Sequence, residues 1–116
     1  MDLKQKVNDL NQMIQSGKTL EAFEKYYHQD LVMQENNEQP RVGKQANREY
    51  EEQFVQMVEE WHKADVKSIA IGDGLTMVEW DMEMTLKEMG RVKRNQVSVQ
   101  QWKDGQIISE RFYYGE

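Results

Sequence analysis

The run Leu75-Thr76-Met77-Val78-Glu79-Trp80-Asp81-Met82-Glu83-Met84-Thr85-Leu86-Lys87 alternates apolar and polar side chains along its length. Val78, Trp80, Met82, Met84 and Leu86 point one way, and Glu79, Asp81, Glu83 and Lys87 the other, which is the two-residue period of a strand with one buried face. Gly72-Asp73-Gly74 before it and Glu88-Met89-Gly90 after it read as turns. Beyond them, Val66 to Ile71, Asn95 to Trp102 and Ile107 to Tyr114 read as further strands. Lys103-Asp104-Gly105 joins the last two, and Asp-Gly between extended runs is a strong hairpin signal because both residues must tolerate positive φ. The second half of the chain is therefore a four-stranded antiparallel meander.

Working back toward the start, the period changes to that of helices. Leu3, Val7, Leu10 and Ile14 recur at spacings of three and four, and Ser16-Gly17 ends that helix. Thr19 can cap a second helix carrying Leu20, Phe23 and Tyr27. An extended segment follows from Asp30 to Asn36, then a polar loop holding Pro40, the only proline. A third helix starts near Gly43 and runs to His62, with Ala46, Tyr50, Phe54, Met57, Val58 and Trp61 as its buried stripe. Glu49, Glu51, Glu52, Glu59 and Glu60 face water or flank that seam.

Helices followed by a meander define an α+β domain, and 116 residues suffice for one such domain, spanning 1–116. Composition agrees, with 38% apolar and 31% charged residues. Cysteine is absent, which excludes disulfides and thiolate chemistry. No apolar run approaches the ~20 residues that cross a bilayer, and the start is polar, so a cytoplasmic protein without membrane contact is expected. The formal net charge of −6 argues against nucleic acid as a partner, which needs a positive footprint. On the outward sheet face, Met77, Val97, Val99, Ile107 and Tyr113 would accompany the carboxylates and Arg111, a half-apolar surface suited to a homodimer.

The sequence also resembles a family. Phe23-Glu24-Lys25-Tyr26-Tyr27-His28-Gln29-Asp30-Leu31-Val32, with Gly43-Lys44-Gln45 after the loop, is similar to the second-helix, first-strand and third-helix segment of SnoaL-like proteins. Gln101-Trp102-Lys103-Asp104-Gly105-Gln106-Ile107-Ile108-Ser109-Glu110-Arg111-Phe112-Tyr113-Tyr114 resembles their last hairpin. The resemblance implies the nuclear-transport-factor-like, cystatin-like fold: three N-terminal helices on a strongly curved, mostly antiparallel sheet, forming a cone with one pocket. That superfamily includes ketosteroid isomerases, polyketide cyclases, dehydratases, epoxide hydrolases and non-enzymatic binding domains, so the fold leaves the function open.

Within that frame the candidates are few. Glu35 aligns with the general-base aspartate of the isomerases when one residue is gapped in the following loop. A carboxylate at an apolar pocket mouth could shuttle a proton; otherwise Glu35 is a solvated or structural glutamate. The isomerase pattern also asks for a tyrosine on the first helix, where Leu10-Asn11 offers none, and an aspartic acid on the penultimate strand, where Ser98 and Gln96 stand. Glu110 shares the pocket side of the last strand with Ile108, Phe112 and Tyr114. It should pair with Arg48 or Lys44, hold a proton, or meet a ligand. Tyr27, Trp80, Met82, Gln96, Ser98 and Tyr114 would line the ligand site, with Glu35 and Glu110 as its catalytic candidates and Met33 and Met84 sharing the interior.

Other chemistry finds little support. His28 and His62 have no companions at metal-ligand spacing, and His62 reads as the cationic end of the third helix. Arg91, Lys93 and Arg94 read as a solvated basic tip that could meet an anion. No cofactor or metal is expected. Two functions stay open: a pocket that binds a small, largely apolar organic molecule, or a cofactor-independent isomerase, cyclase or hydratase with Glu35 as base.

Overall fold

In the computed structural model, which describes residues 1–115, the elements run α1 (Leu3–Gln15), α2 (Thr19–Tyr26), β1 (Tyr27–Glu35), β2 (Arg41–Val42), α3 (Lys44–Met57), β3 (Val58–Gly72), β4 (Leu75–Leu86), β5 (Gly90–Lys103) and β6 (Gln106–Tyr114). One open six-stranded sheet has the order β2-β1-β6-β5-β4-β3. Only β1 and β6 pair in parallel; the other neighbours are antiparallel. The fold is α+β, as the patterning predicts. No helix among the described residues is long and apolar enough to cross a membrane.

Local chemistry sets the helix ends. Asp2 and Gln5 form a reciprocal capping box at the start of α1. Its end is a Schellman turn, in which Lys18 N–H donates to Met13 O and Gly17 N–H to Ile14 O, with Gly17 at φ +78°. Lys18 thereby becomes the residue before α2, so Thr19 is the first helical residue and not its cap.

Two further corrections concern strand lengths and register. The third helix stops at Met57, five residues short of the expected end, and Val58 to His62 belong to β3. The spacing of Phe54, Val58 and Trp61 suits a helix, but β4 presents twelve residues of ladder. Pairing Val58 with Leu86 and Trp61 with Met84 satisfies that ladder to its end. Consequently Met57 and Trp61 are exposed, and only Asn47 is fully buried on α3.

The second correction is a bulge in β6. Trp102 pairs with Ile107 and Gln101 with Ser109, which leaves Ile108 as an extra residue. Ile107 therefore turns inward and is fully buried, not outward as strict alternation requires. Met77, Val97 and Tyr113 do stand on the outer face, at 38%, 37% and 44% exposure. The Asp-Gly hairpin forms as expected, with Asp104 at φ +54° and Gly105 at φ +80°.

Two apolar clusters cover the inner face. One joins Leu10, Phe23, Tyr26, Leu31 and Ile107; the other joins Val7, Val78, Trp80, Met84 and Leu86. Ile14 and Trp102 pack against both and tie helices to sheet. Between these clusters and α3 the inner face changes from apolar to polar.

Candidate functional site

The polar part of the inner face is built from sheet register. Thr76, Gln100 and Glu110 lie opposite one another across β4, β5 and β6, forming one buried row. Trp102 Nε1–H donates to Thr76 Oγ1 at 2.9 Å, Thr76 donates to Gln100 Oε1 at 2.6 Å, and Gln100 Nε2–H donates to Glu110 Oε2 at 2.8 Å. The indole can only donate, so Thr76 Oγ1 accepts there; with the Thr76 hydroxyl turned to Gln100 Oε1, Gln100 presents its amide hydrogens to the carboxylate. The hydroxyl of Tyr27 donates to the other oxygen, Glu110 Oε1. Tyr27 is itself held by stacking on Phe23 at 4.9 Å.

Glu110 is thus buried with two donors and no cation. Arg48 and Lys44, its expected partners, pair instead with Glu24. Burial pushes the Glu110 carboxyl up to about 7; the Tyr27 and Gln100 hydrogen bonds oppose that rise, and the charge of Glu35 adds to it. The same burial, with Glu110 alongside, raises Tyr27 well above the ordinary phenol range.

On the same wall stands Glu51 of α3, which sequence reading places facing water or flanking the buried seam. It is pushed up to about 7 by burial first, then by the charges of Glu110 and Glu35, with Arg41 acting against them. No hydrogen bond contributes to that balance. Among the described residues Glu51 has no hydrogen-bond or ion-pair partner, and it lines the same cavity as Glu110.

Glu35 has another arrangement. It ends β1 opposite Phe112, in the row that includes Ser98. Arg41 Nη2 donates to Glu35 Oε2 at 2.8 Å, and the Tyr114 hydroxyl lies 3.3 Å from Glu35 Oε1. Arg41 is fixed by Asn47 Oδ1 at 3.1 Å and by stacking 3.6 Å over Tyr50. Burial, then the charge of Glu35, pushes Tyr114 up to about 12. The lone carboxylate expected at the pocket mouth is instead half of an ion pair.

These groups surround a cavity of about 140 Å³, roughly ten times the space one water needs. Tyr27, Glu35, Trp80, Met82, Gln96, Ser98 and Glu110 all reach its wall; Tyr114 stands beside it, touching Glu35. Gln96 Nε2–H donates to Ser98 Oγ at 3.1 Å. The polar wall also includes Glu51, Gln100 and Arg94, of which only Arg94 is singled out from sequence, and there as part of a solvated tip. Gln100 continues the two-residue period from Gln96 and Ser98 and was legible there. Arg94 follows the same period and so turns inward from the basic tip, 4.2 Å over the Tyr114 ring. His28 and His62 lie off the wall: His28 Nδ1 accepts from Asp30 N–H, and His62 sits on β3 beside Thr85 Oγ1 at 2.7 Å, not at a helix end. Among the described residues, no cluster of three His, Cys, Asp or Glu side chains could hold a metal.

The element order and mixed sheet define a small α+β protein with the nuclear-transport-factor-like fold. The chain belongs to the SnoaL-like domain family, whose model matches residues 2–114. It is similar to a Mesorhizobium loti protein provisionally assigned as a SnoaL-like polyketide cyclase, at 28% identity and a TM-score of 0.84, covering 98% of this chain and 100% of that one. A Burkholderia pseudomallei protein of the nuclear-transport-factor-like type, of unknown function, superposes with a TM-score of 0.82 at 9% identity, covering 97% of this chain and 89% of that one. The epoxide hydrolase/cyclase-like enzyme SalBIII, of pyran ring formation in salinomycin, superposes with a TM-score of 0.80 at 24% identity, with the same two coverages. No curated protein matches the chain.

Proposed function

We propose that this protein binds a small, largely apolar organic molecule between sheet and helices, with the polar end of the ligand held at Glu51 and Glu110. The observation that carries this reading is the cavity itself: Trp80, Met82 and Phe54 supply apolar wall, and an unpartnered carboxyl shares it with a second one. Few converging polar groups on an apolar wall are the usual make-up of small-molecule sites. Quenching of tryptophan fluorescence tests it. 2-Phenylethanol should quench the wild-type protein saturably and leave Glu51→Trp, which plugs the space, unaffected. Absence of quenching, or equal quenching in the plugged variant, contradicts the reading.

A second reading, cofactor-independent isomerisation, cyclisation or hydration, has its own support. Two carboxyl groups poised near 7 are suited to giving and taking protons at neutral pH. Glu51 would then be the group that exchanges a proton with substrate, Glu110 its partner on the cavity wall, and Glu35 with Arg41 a positioning pair. The cyclase assignment of the Mesorhizobium loti relative is consistent with this. We also infer a homodimer through Met77, Val97 and Tyr113 on the outer face. Sedimentation should give a dimer for the wild type and a monomer for Tyr113→Glu; a monomeric wild type contradicts it.

A further inference from the structure

The charges facing the cavity are unequal, and the inequality points to a ligand class. The titratable groups on or beside the cavity wall that act on one another with Glu51 can be named by element. β1 supplies Tyr27 and Glu35, β2 supplies Arg41, α3 supplies Tyr50, β5 supplies Arg94, and β6 supplies Glu110 and Tyr114. The nearby parts of α1 and α2 contribute Leu10, Ile14, Thr19 and Ala22, none of which carries charge. Of the two cations, Arg41 is committed to Glu35 at 2.8 Å. Arg94 stacks on Tyr114 at 4.2 Å and stands 5.9 Å from the Phe54 ring. Glu51 and Glu110 are left with no positive partner inside a space walled by Tyr27, Phe54, Trp61 and Trp80. Carboxylates beside aromatic faces make a receptor for an ammonium group, which gains both an ion pair and cation–π attraction.

We propose that the pocket takes a small organic amine, its ammonium group pairing with Glu51 against Glu110 and its apolar body lying on Trp80 and Met82. The proposal rests on the pocket reading above and narrows it to one chemical class. Above pH 7, where Glu51 and Glu110 give up their protons, an anionic ligand is disfavoured, because two unpaired carboxylates then face the one guanidinium of Arg94, Glu35 being already paired with Arg41. Binding is also linked to protons. Glu51 and Glu110, held up near 7 by burial, retain protons at neutral pH that an incoming ammonium displaces. The amine stays charged throughout this range, as a lysine does. Its affinity therefore rises with pH through the same window, and each binding event releases a fraction of a proton.

Matched probes separate this proposal from the broader one. Calorimetry of the full chain with 2-phenylethylamine, 2-phenylethanol and phenylacetate, in two buffers of different ionisation heat, reads affinity and proton release together. The expected result is at least tenfold preference for the amine over the alcohol at pH 7.5, a smaller preference at pH 5, and proton release with the amine alone. Glu51→Gln should weaken amine binding more than alcohol binding and bring the preference close to one, whereas Arg94→Met should strengthen amine binding. Equal affinity for amine and alcohol overturns the amine proposal and leaves the pocket reading standing, as does tighter binding of phenylacetate or full amine preference in Glu51→Gln. Failure of all three probes to bind overturns both.

Discussion

On the outer face of β4, acidic side chains find partners. Asp81 lies 2.7 Å from Lys63 Nζ, Glu79 accepts from Ser68 Oγ at 2.9 Å, and Glu83 lies 3.7 Å from Arg91. Around the inner cavity, Glu51 and Glu110 have no cation. The consequences run in opposite directions. The hydrogen bond from Lys63 holds Asp81 below the ordinary carboxylate range, while burial lifts Glu51 and Glu110 to about 7. Asp81 thus differs in acidity from Glu51 and Glu110 because it gains a partner while they lose water.

Glu110→Ala should break this contrast most severely. It leaves the Tyr27 hydroxyl and the Gln100 amide as buried donors without an acceptor, a loss of about 2–4 kcal/mol for the pair. Glu110→Gln keeps one acceptor oxygen and should recover about half of that loss. Urea denaturation at pH 7 reads both; equal midpoints for the alanine and glutamine variants would contradict the role of position 110 as acceptor for Tyr27 and Gln100.

A smaller effect is expected from pH. The folded-state values of Glu51 and Glu110 exceed the unfolded 4.5, so folding favours their protonated forms. Their stabilising contribution is complete below about 4.5 and is lost as pH rises to about 7. Glu51→Gln, which needs no proton, should be more stable than wild type at pH 8, by on the order of 1 kcal/mol, and should show little advantage at pH 4. Asp81 has the opposite sign: its contribution is present above 3.8 and declines below it. Lys63→Ala should accordingly shift the midpoint least of all, because that pair lies part-buried on the outer sheet face, within reach of salt screening.

The legible half of this contrast was the half written in a simple period. Alternation along β4 placed Trp80 and Met82 inside and Glu79, Asp81 and Glu83 outside, and the same period through β5 placed Gln96 and Ser98 at the site. Glu110 was legible as an inward charge, although its partners were not, since Tyr27 and Gln100 reach it across separate strands. Glu51 was missed because the turn of α3 it occupies faces the sheet through Asn47, Glu51 and Phe54, a stripe with polar residues at two of its three positions. Arg41 sits in a two-residue strand whose pairing with Met33 no local pattern announces. The bulge at Ile108 shifts the face of Ile107 through register alone.

The central claim is that burial without a counter-cation leaves Glu51 and Glu110 able to hold protons near neutrality. Carbon-detected NMR titration of the side-chain carboxyls, assigned with Glu51→Gln and Glu110→Gln, measures it directly. Midpoints near 7 for these two residues, against Asp81 below the ordinary carboxylate range, are the predicted result. Midpoints of both glutamates near 4.5 would contradict it, and the proton-transfer and amine readings of the pocket would lose their common basis.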